Sequence, residues 1–258
     1  MTRVVWLFSL TRSGSSAAVY ASAHALGWTV ADEPFGPWDR TGPPYNYPTE
    51  QVELHQMHLA AGERLNPTTN ALFESITDQL AQRSDAAGAI VKLPHDMIDP
   101  QDVAQLRPSD RAAYLIRNPL ARLNSLHTRG WQDTIQPPHD IERVRLFLHR
   151  VMQASRSRRV RFEMLHAAPR RFFRRLWSAW DIGFTEEQVE AAVRYRAQHY
   201  HESSAEQQPG RNPHRVLSEH RRDVPREAVE LYLSDPVIAA AFARAEWDTN
   251  TARYTSDT

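Results

Sequence analysis

Thr11-Arg12-Ser13-Gly14-Ser15-Ser16 lies between a short apolar run and a segment of helical character near the start of the chain. A small, hydroxyl-rich turn that leads from a strand into a helix can hold an anion. The first N–H groups of a helix lack intrahelical acceptors, and the helix dipole puts partial positive charge beside them. Ser15 and Ser16 add hydroxyl donors, and Arg12 adds a full charge on a planar fork that matches phosphate or sulfate. Lys92 is the second landmark. It is the only lysine among 31 Lys and Arg residues. Against that bias, one surviving ammonium fits a task closed to a guanidinium, since it is a compact charge with rotatable donors. Glu33 and His95 are proton acceptors placed just after predicted strands. Arg117 and Ser125 stand eight residues apart across a strand end and the next helix, where both can face one phosphate.

These residues need elements to position them, and the pattern supplies strands alternating with helices. Val4–Phe8 reads as a buried strand, and Ser15–Leu26 as a helix ended by Gly27. Further strands are expected at Trp28–Ala31, Ala89–Leu93, Arg111–Arg117 and Arg159–Glu163. Helical spacing covers 50–65, 68–83, 99–106, 120–127, 141–155, 169–180, 185–197, 226–233 and 236–247, with Pro119 marking one start. Trp131–Asp140 is expected to be loop, and Tyr200–Pro213 is polar and aperiodic. Alternation of this kind implies βαβ units and a three-layer α/β/α architecture around a parallel sheet. No repeat or linker divides the sequence, so residues 1–258 are expected to form one domain. In such a sheet ligands bind where strands end and helices begin, and the polar groups singled out above cluster at four of those ends.

Composition narrows the choice of partner. Acidic and basic residues number 31 each, which gives no charge argument for nucleic acid or a membrane surface. The absence of cysteine excludes disulfides, thiolate metal sites and cysteine nucleophiles. The apolar run in Met1–Leu10 is only about seven residues, the bottom of the signal-peptide range, with no small-residue cleavage site after it in apolar context, and no stretch approaches the ~20 apolar residues of a membrane span. A soluble cytoplasmic protein is the expectation. Phe35 and the proline-rich loop that follows carry flat apolar faces with a few hydroxyls at Trp38, Tyr45 and Tyr47, which suits an acceptor pocket or equally a structural crossover. His199 and His201 have ligand-like spacing, but they sit in a polar stretch where histidines are usually solvated, and no metal is expected.

The motifs, taken in order, resemble those of the sulfotransferases that use 3′-phosphoadenosine 5′-phosphosulfate (PAPS). TRSGSS is similar to the family's 5′-phosphosulfate loop in its arginine form, and YLIRNPLARLNS to its 3′-phosphate motif, with Arg117 and Ser125 at the family spacing. IVKLPHDM resembles the Lys-x-His segment of cytosolic members, with His95 one residue late. DEPF resembles the Glu-Pro segment of bacterial and carbohydrate-type members, and RFEMLHAAPRRFFRRLWSAWDIGF a later strand–helix unit. The likeness spans roughly residues 4 to 185. It implies the P-loop-like sulfotransferase fold, PAPS as co-substrate, no metal, and a small-molecule hydroxyl acceptor. It also implies in-line transfer, with Arg12, Lys92 and the turn amides (Ser13 to Ser16) around the sulfuryl group. Glu33 is favoured over His95 as general base because His95 is out of register. The sequence departs from the family at Phe162, where a tyrosine often contacts the nucleotide, and lacks the usual C-terminal Arg-Lys-Gly loop. Arg211, with His214 and Arg215, is the expected replacement for that loop.

Two rival readings stand beside this one. A P-loop kinase would need G-x-x-x-x-G-K-[ST], which the turn lacks. A non-catalytic nucleotide- or anion-binding protein on the same fold would keep the turn without the chemistry.

Overall fold

A computed structural model of the chain describes residues 3–32, 87–94, 111–127, 137–201, 224–245 and 247. Its framework is a five-stranded sheet formed by β1 (Arg3–Ser9), β2 (Thr29–Asp32), β3 (Gly88–Pro94), β4 (Ala112–Ile116) and β5 (Arg159–Arg161). The strand order is β2-β3-β1-β4-β5 and every neighbouring pair is parallel. β1 therefore sits in the middle, with Leu7 beside Lys92 of β3 and Phe8 beside Tyr114 of β4.

Eight helices are described: α1 (Ser15–Leu26), α2 (Pro119–His127), α3 (Pro137–Gln153), α4 (Glu163–Ala167), α5 (Pro169–Ala179), α6 (Glu186–His201), α7 (Arg226–Ser234) and α8 (Pro236–Ala245). They divide between the two faces by the pleat of the strands. Val5 and Leu7 point to the face covered by α1, α5 and α6, where Phe172, Phe173, Trp177 and Trp180 fill the core. Trp6 and Phe8 point to the other face, under α2, α3, α7 and α8. There Trp6, Phe8, Tyr114 and Phe147 form a chain of ring contacts that runs from the sheet to α3, at centroid distances of 6.1, 5.5 and 6.4 Å. This is the expected α/β/α sandwich around a parallel sheet.

Local signals explain most element ends. Gly27 adopts φ 67° and its N–H caps the Ala23 carbonyl, as the C′ position of α1 requires. The Asn118 side chain accepts hydrogen bonds from the Leu120 and Ala121 N–H groups at 2.9 and 3.3 Å, with Pro119 opening α2. Asp235 does the same for α8 through Val237 and Ile238, again just before a proline.

Several boundaries differ from the sequence expectation, and three of them have a clear outcome. Asp140 is in helix, not loop, because α3 begins at Pro137, and prolines are tolerated in a first turn whose N–H groups are unused. β5 stops at Arg161 because Phe162 already has helical φ and ψ, and its carbonyl accepts the Leu165 N–H. α6 continues to His201, past the expected end at Ala197. The expected helices at 50–65, 68–83 and 99–106 lie outside the described residues.

Candidate functional site

The sheet order brings the ends of β1, β3 and β4 side by side, and the turn Leu10–Gly14 follows directly from β1. The turn is closed by the Ser13 N–H donating to the Leu10 carbonyl at 3.1 Å. Arg12 within it adopts φ 67°, a left-handed conformation that costs a non-glycine residue roughly 1–2 kcal/mol. Gly14 follows at φ 76° as the N-cap of α1. A glycine is required there for a second reason: a Cβ on Gly14 would lie 2.0 Å from Cε2 of Phe162. Gly14 has no side chain to cap α1, and the first helical bond is Ala18 N–H to the Gly14 carbonyl at 3.3 Å. The N–H groups of Ser15, Ser16 and Ala17 are thus the leading donors of the helix.

Lys92 enters from β3. It shares a strand face with Ile90, on the side of α1, so its chain runs beneath the helix start. The side chain is buried, and Nζ donates to Ser16 Oγ at 2.8 Å. Burial of an ammonium is tolerated only where its donors are used.

Arg117 and Ser125 enter from β4 and α2. Arg117 Nη1 donates to the Arg12 carbonyl at 2.5 Å, and its guanidinium lies 4.7 Å from the centre of the Phe162 ring. Ser125 Oγ accepts from Arg12 Nε at 3.3 Å. Two bonds lock this junction to the β5–α4 junction: Asn118 N–H to Glu163 Oε1, and Phe162 N–H to the Ile116 carbonyl, each at 2.8 Å. Phe162, which lacks the tyrosine hydroxyl, is therefore a wall. It packs beneath Gly14, faces Arg117 and meets His166 edge-on at 5.0 Å.

Of the residues singled out from sequence, Arg12, Ser13, Gly14, Ser15, Ser16, Lys92, Arg117 and Ser125 belong to these three strand ends. Glu33, Phe35, Trp38, Tyr45, Tyr47, His95, Arg211 and Arg215 lie outside the described residues. His199 lies against Tyr195 at 4.1 Å, and Tyr195 stacks at 4.5 Å on His24 in the last turn of α1, the end of that helix opposite to the turn. Among the described residues no group of three His, Cys, Asp or Glu is placed to hold a metal ion, and no helix is long and apolar enough to cross a membrane.

Sequence reasoning missed a buried network behind the turn. Arg122 of α2 is fully buried, and its Nε donates to the Thr11 carbonyl at 2.8 Å. Its two terminal nitrogens donate to Asp140 of α3 at 2.7 and 2.9 Å. Asp140 also accepts the hydroxyl of Tyr232 from α7. Burial and the Asp140 charge push that hydroxyl well above its usual range, so it remains a donor. A signal did exist: Arg122 is three residues before Ser125, so the two share a helix face.

No family model matches the chain, and no curated protein matches its sequence. Solved structures with a similar course of the chain include the sulfotransferase domain from the curacin biosynthetic pathway. It is 13% identical at a TM-score of 0.47, covering 96% of this chain and 99% of that one. The sulfotransferase domain from the Synechococcus PCC 7002 olefin synthase is 14% identical at 0.44, covering 94% and 95%. Mouse sulfotransferase SULT7A1 complexed with PAP is 12% identical at 0.41, covering 94% and 82%.

Proposed function

We propose that this protein is a sulfotransferase that moves the sulfuryl group of PAPS to the hydroxyl of a small-molecule acceptor. One observation carries the reading: cationic and hydroxyl groups from three separate strand ends, Arg12 with Ser16, Lys92, and Arg117 with Ser125, meet around one helix start. Convergence of that kind suits a ligand with more than one anionic group.

In this reading the acceptor oxygen attacks sulfur as the bond from sulfur to the nucleotide's phosphate oxygen breaks. The acceptor proton passes to Glu33 or His95, and adenosine 3′,5′-bisphosphate leaves. Charge grows on the sulfuryl and leaving oxygens during transfer. Lys92, Arg12 and the N–H groups of the α1 start would stabilise it, by positioning and electrostatics as in phosphoryl transfer. Arg117 and Ser125 would take the 3′-phosphate, and Arg211 and Arg215 further contacts to the nucleotide. Phe35, Trp38, Tyr45 and Tyr47 would line the acceptor side.

The test is a thermal-shift comparison followed by a transfer assay. Adenosine 3′,5′-bisphosphate should raise the melting temperature more than ADP or Mg-ATP, since a ligand that binds only the folded chain stabilises it by mass action. PAPS should then sulfate an alcohol or phenol in an acceptor panel. Stronger stabilisation by Mg-ATP would replace this reading with a kinase. Bisphosphate binding without transfer to any acceptor would leave a nucleotide-binding protein.

A further inference from the structure

A buried ion pair is poor evidence of stability, because removing two charges from water costs about as much as their attraction returns. Arg122 and Asp140 are nonetheless both at 0% exposure. Asp140 lies in the first turn of α3, where the helix dipole favours a carboxylate, and it accepts from Arg122 twice and from Tyr232 once. This fixes the guanidinium in one orientation. Nε, which takes no part in that fork, is thereby aimed at the carbonyl of Thr11. An apolar pair of the same volume could fill the space but could not do that.

Thr11 immediately precedes the left-handed Arg12, whose own carbonyl is held by Arg117. Two arginines of the β4–α2 segment thus grip successive carbonyls of the turn. In a trans peptide the N–H points opposite to the carbonyl, so the Arg12 N–H is turned away from α2. The Arg12 side chain leaves this backbone in the direction of Ser125. The two grips, with the Arg12–Ser125 bond, hold this side of the turn against the strain of φ 67°.

We propose that Arg122 is a positioning residue for the turn: Asp140 and Tyr232 orient it so that its Nε holds the Thr11 carbonyl and keeps Arg12 in its left-handed, ligand-facing conformation. Its consequence for nucleotide binding rests on the proposed sulfotransferase reading; its consequence for the turn does not.

The experiment separates the two. In R122K the ammonium can still pair with Asp140 but cannot also supply the Nε–H to Thr11. In R122M/D140L both charges are replaced by apolar groups. Both should keep cooperative unfolding, while native-state hydrogen exchange at the Arg12 and Ser13 amides speeds by about tenfold or more relative to β1 amides, the scale of one charge-assisted hydrogen bond. Adenosine 3′,5′-bisphosphate affinity should fall by a similar factor. Unchanged exchange at 12 and 13 in either folded variant would overturn the proposal. Failure of the unmodified protein to bind the bisphosphate would instead overturn the sulfotransferase reading and leave the exchange result to stand. If neither variant folds, the unmodified chain decides. Its Arg122 Nε–H should exchange together with the Ser13 amide, because one opening of the turn exposes both. Exchange of that Nε–H only on global unfolding, with Ser13 much faster, would show that the pair does not govern the turn.

Discussion

Among the described residues, arginine meets carboxylate at two extremes of exposure. On the surface, Arg170 and Arg174 of α5 each fork onto Glu190 and Glu186 of α6, with the arginine side chains 64% and 45% exposed. Behind the turn, Arg122 forks onto Asp140 with neither exposed at all. The pairing is the same and the surroundings differ. Water and salt screen the first pair, and two long side chains lose entropy in forming it, so little net stability results. The second pair is scarcely screened, so its net energy is a small difference of large terms while its geometry is rigid. The surface pairs join two helices that already pack together. The buried pair points a donor at one backbone carbonyl beside the candidate site.

The sharpest way to break this contrast is Asp140→Ala. It leaves a buried guanidinium without its counter-charge and should cost about 3–5 kcal/mol of stability by urea denaturation. A loss as small as that of a surface pair would erase the distinction. Next comes Lys92→Met, since Lys92 is another buried cation held by the turn region. In the proposed reaction kcat should fall by roughly 10²–10³-fold, the range for removing one donor to developing charge, with nucleotide affinity little changed. Lys92→Arg should be poorly active as well, because a planar fork does not fit the place of an ammonium. A fully active Lys92→Arg enzyme would end the argument from the lone lysine.

Arg117→Ala tests a partly exposed cation. Calorimetry should find bisphosphate binding weakened by about 2 kcal/mol more than adenosine 5′-phosphosulfate binding, the scale of a charge-assisted bond, because only the bisphosphate has a 3′-phosphate. Equal losses for both would make Arg117 a support for the Arg12 carbonyl only.

Asp235 lies between the two extremes, with its own side chain buried and that of its partner Arg145 half exposed. Burial pushes its carboxyl up, but hydrogen bonds from Arg145 and the Ile238 and Val237 N–H groups outweigh it and hold the group below the usual carboxylate range. A depressed folded value contributes stability that is complete above the unfolded value of about 4 and fades as pH falls through the folded one. Asp235→Ala should therefore cost about 1 kcal/mol near neutral pH, as a lost helix cap does, and the gap to wild type should shrink below about pH 4. A gap that does not change with pH would assign the effect to packing. The smallest effect is expected from Arg170→Ala, whose melting temperature at 0.15 M salt should match wild type. A clear drop there would show that the α5–α6 surface pairs do more than their screening allows.

Much of the fold is legible in the sequence, and for local reasons. Strand and helix periods, Gly27 after α1, Asn118-Pro119 before α2 and the small turn at Arg12–Ser16 all act through neighbours a few residues away. The departures are equally physical. Prolines at 137 and 138 read as loop although a helix accepts them in its first turn, and the hydrophobic strand pattern continues past the point where Phe162 turns helical. What only the tertiary structure decided is which distant groups meet. Strand order sets β3 and β4 on either side of β1, and that placement brings Lys92 to Ser16, 76 residues away, and Arg117 to Arg12, 105 away. Arg122 shares a helix face with Ser125, which periodicity gives. Its pairing with Asp140 and through it with Tyr232 comes from the packing of α2, α3 and α7 over one face of the sheet. A local pattern fixes the direction in which a side chain leaves its own element; the burial of whole helices against the sheet fixes what it finds there.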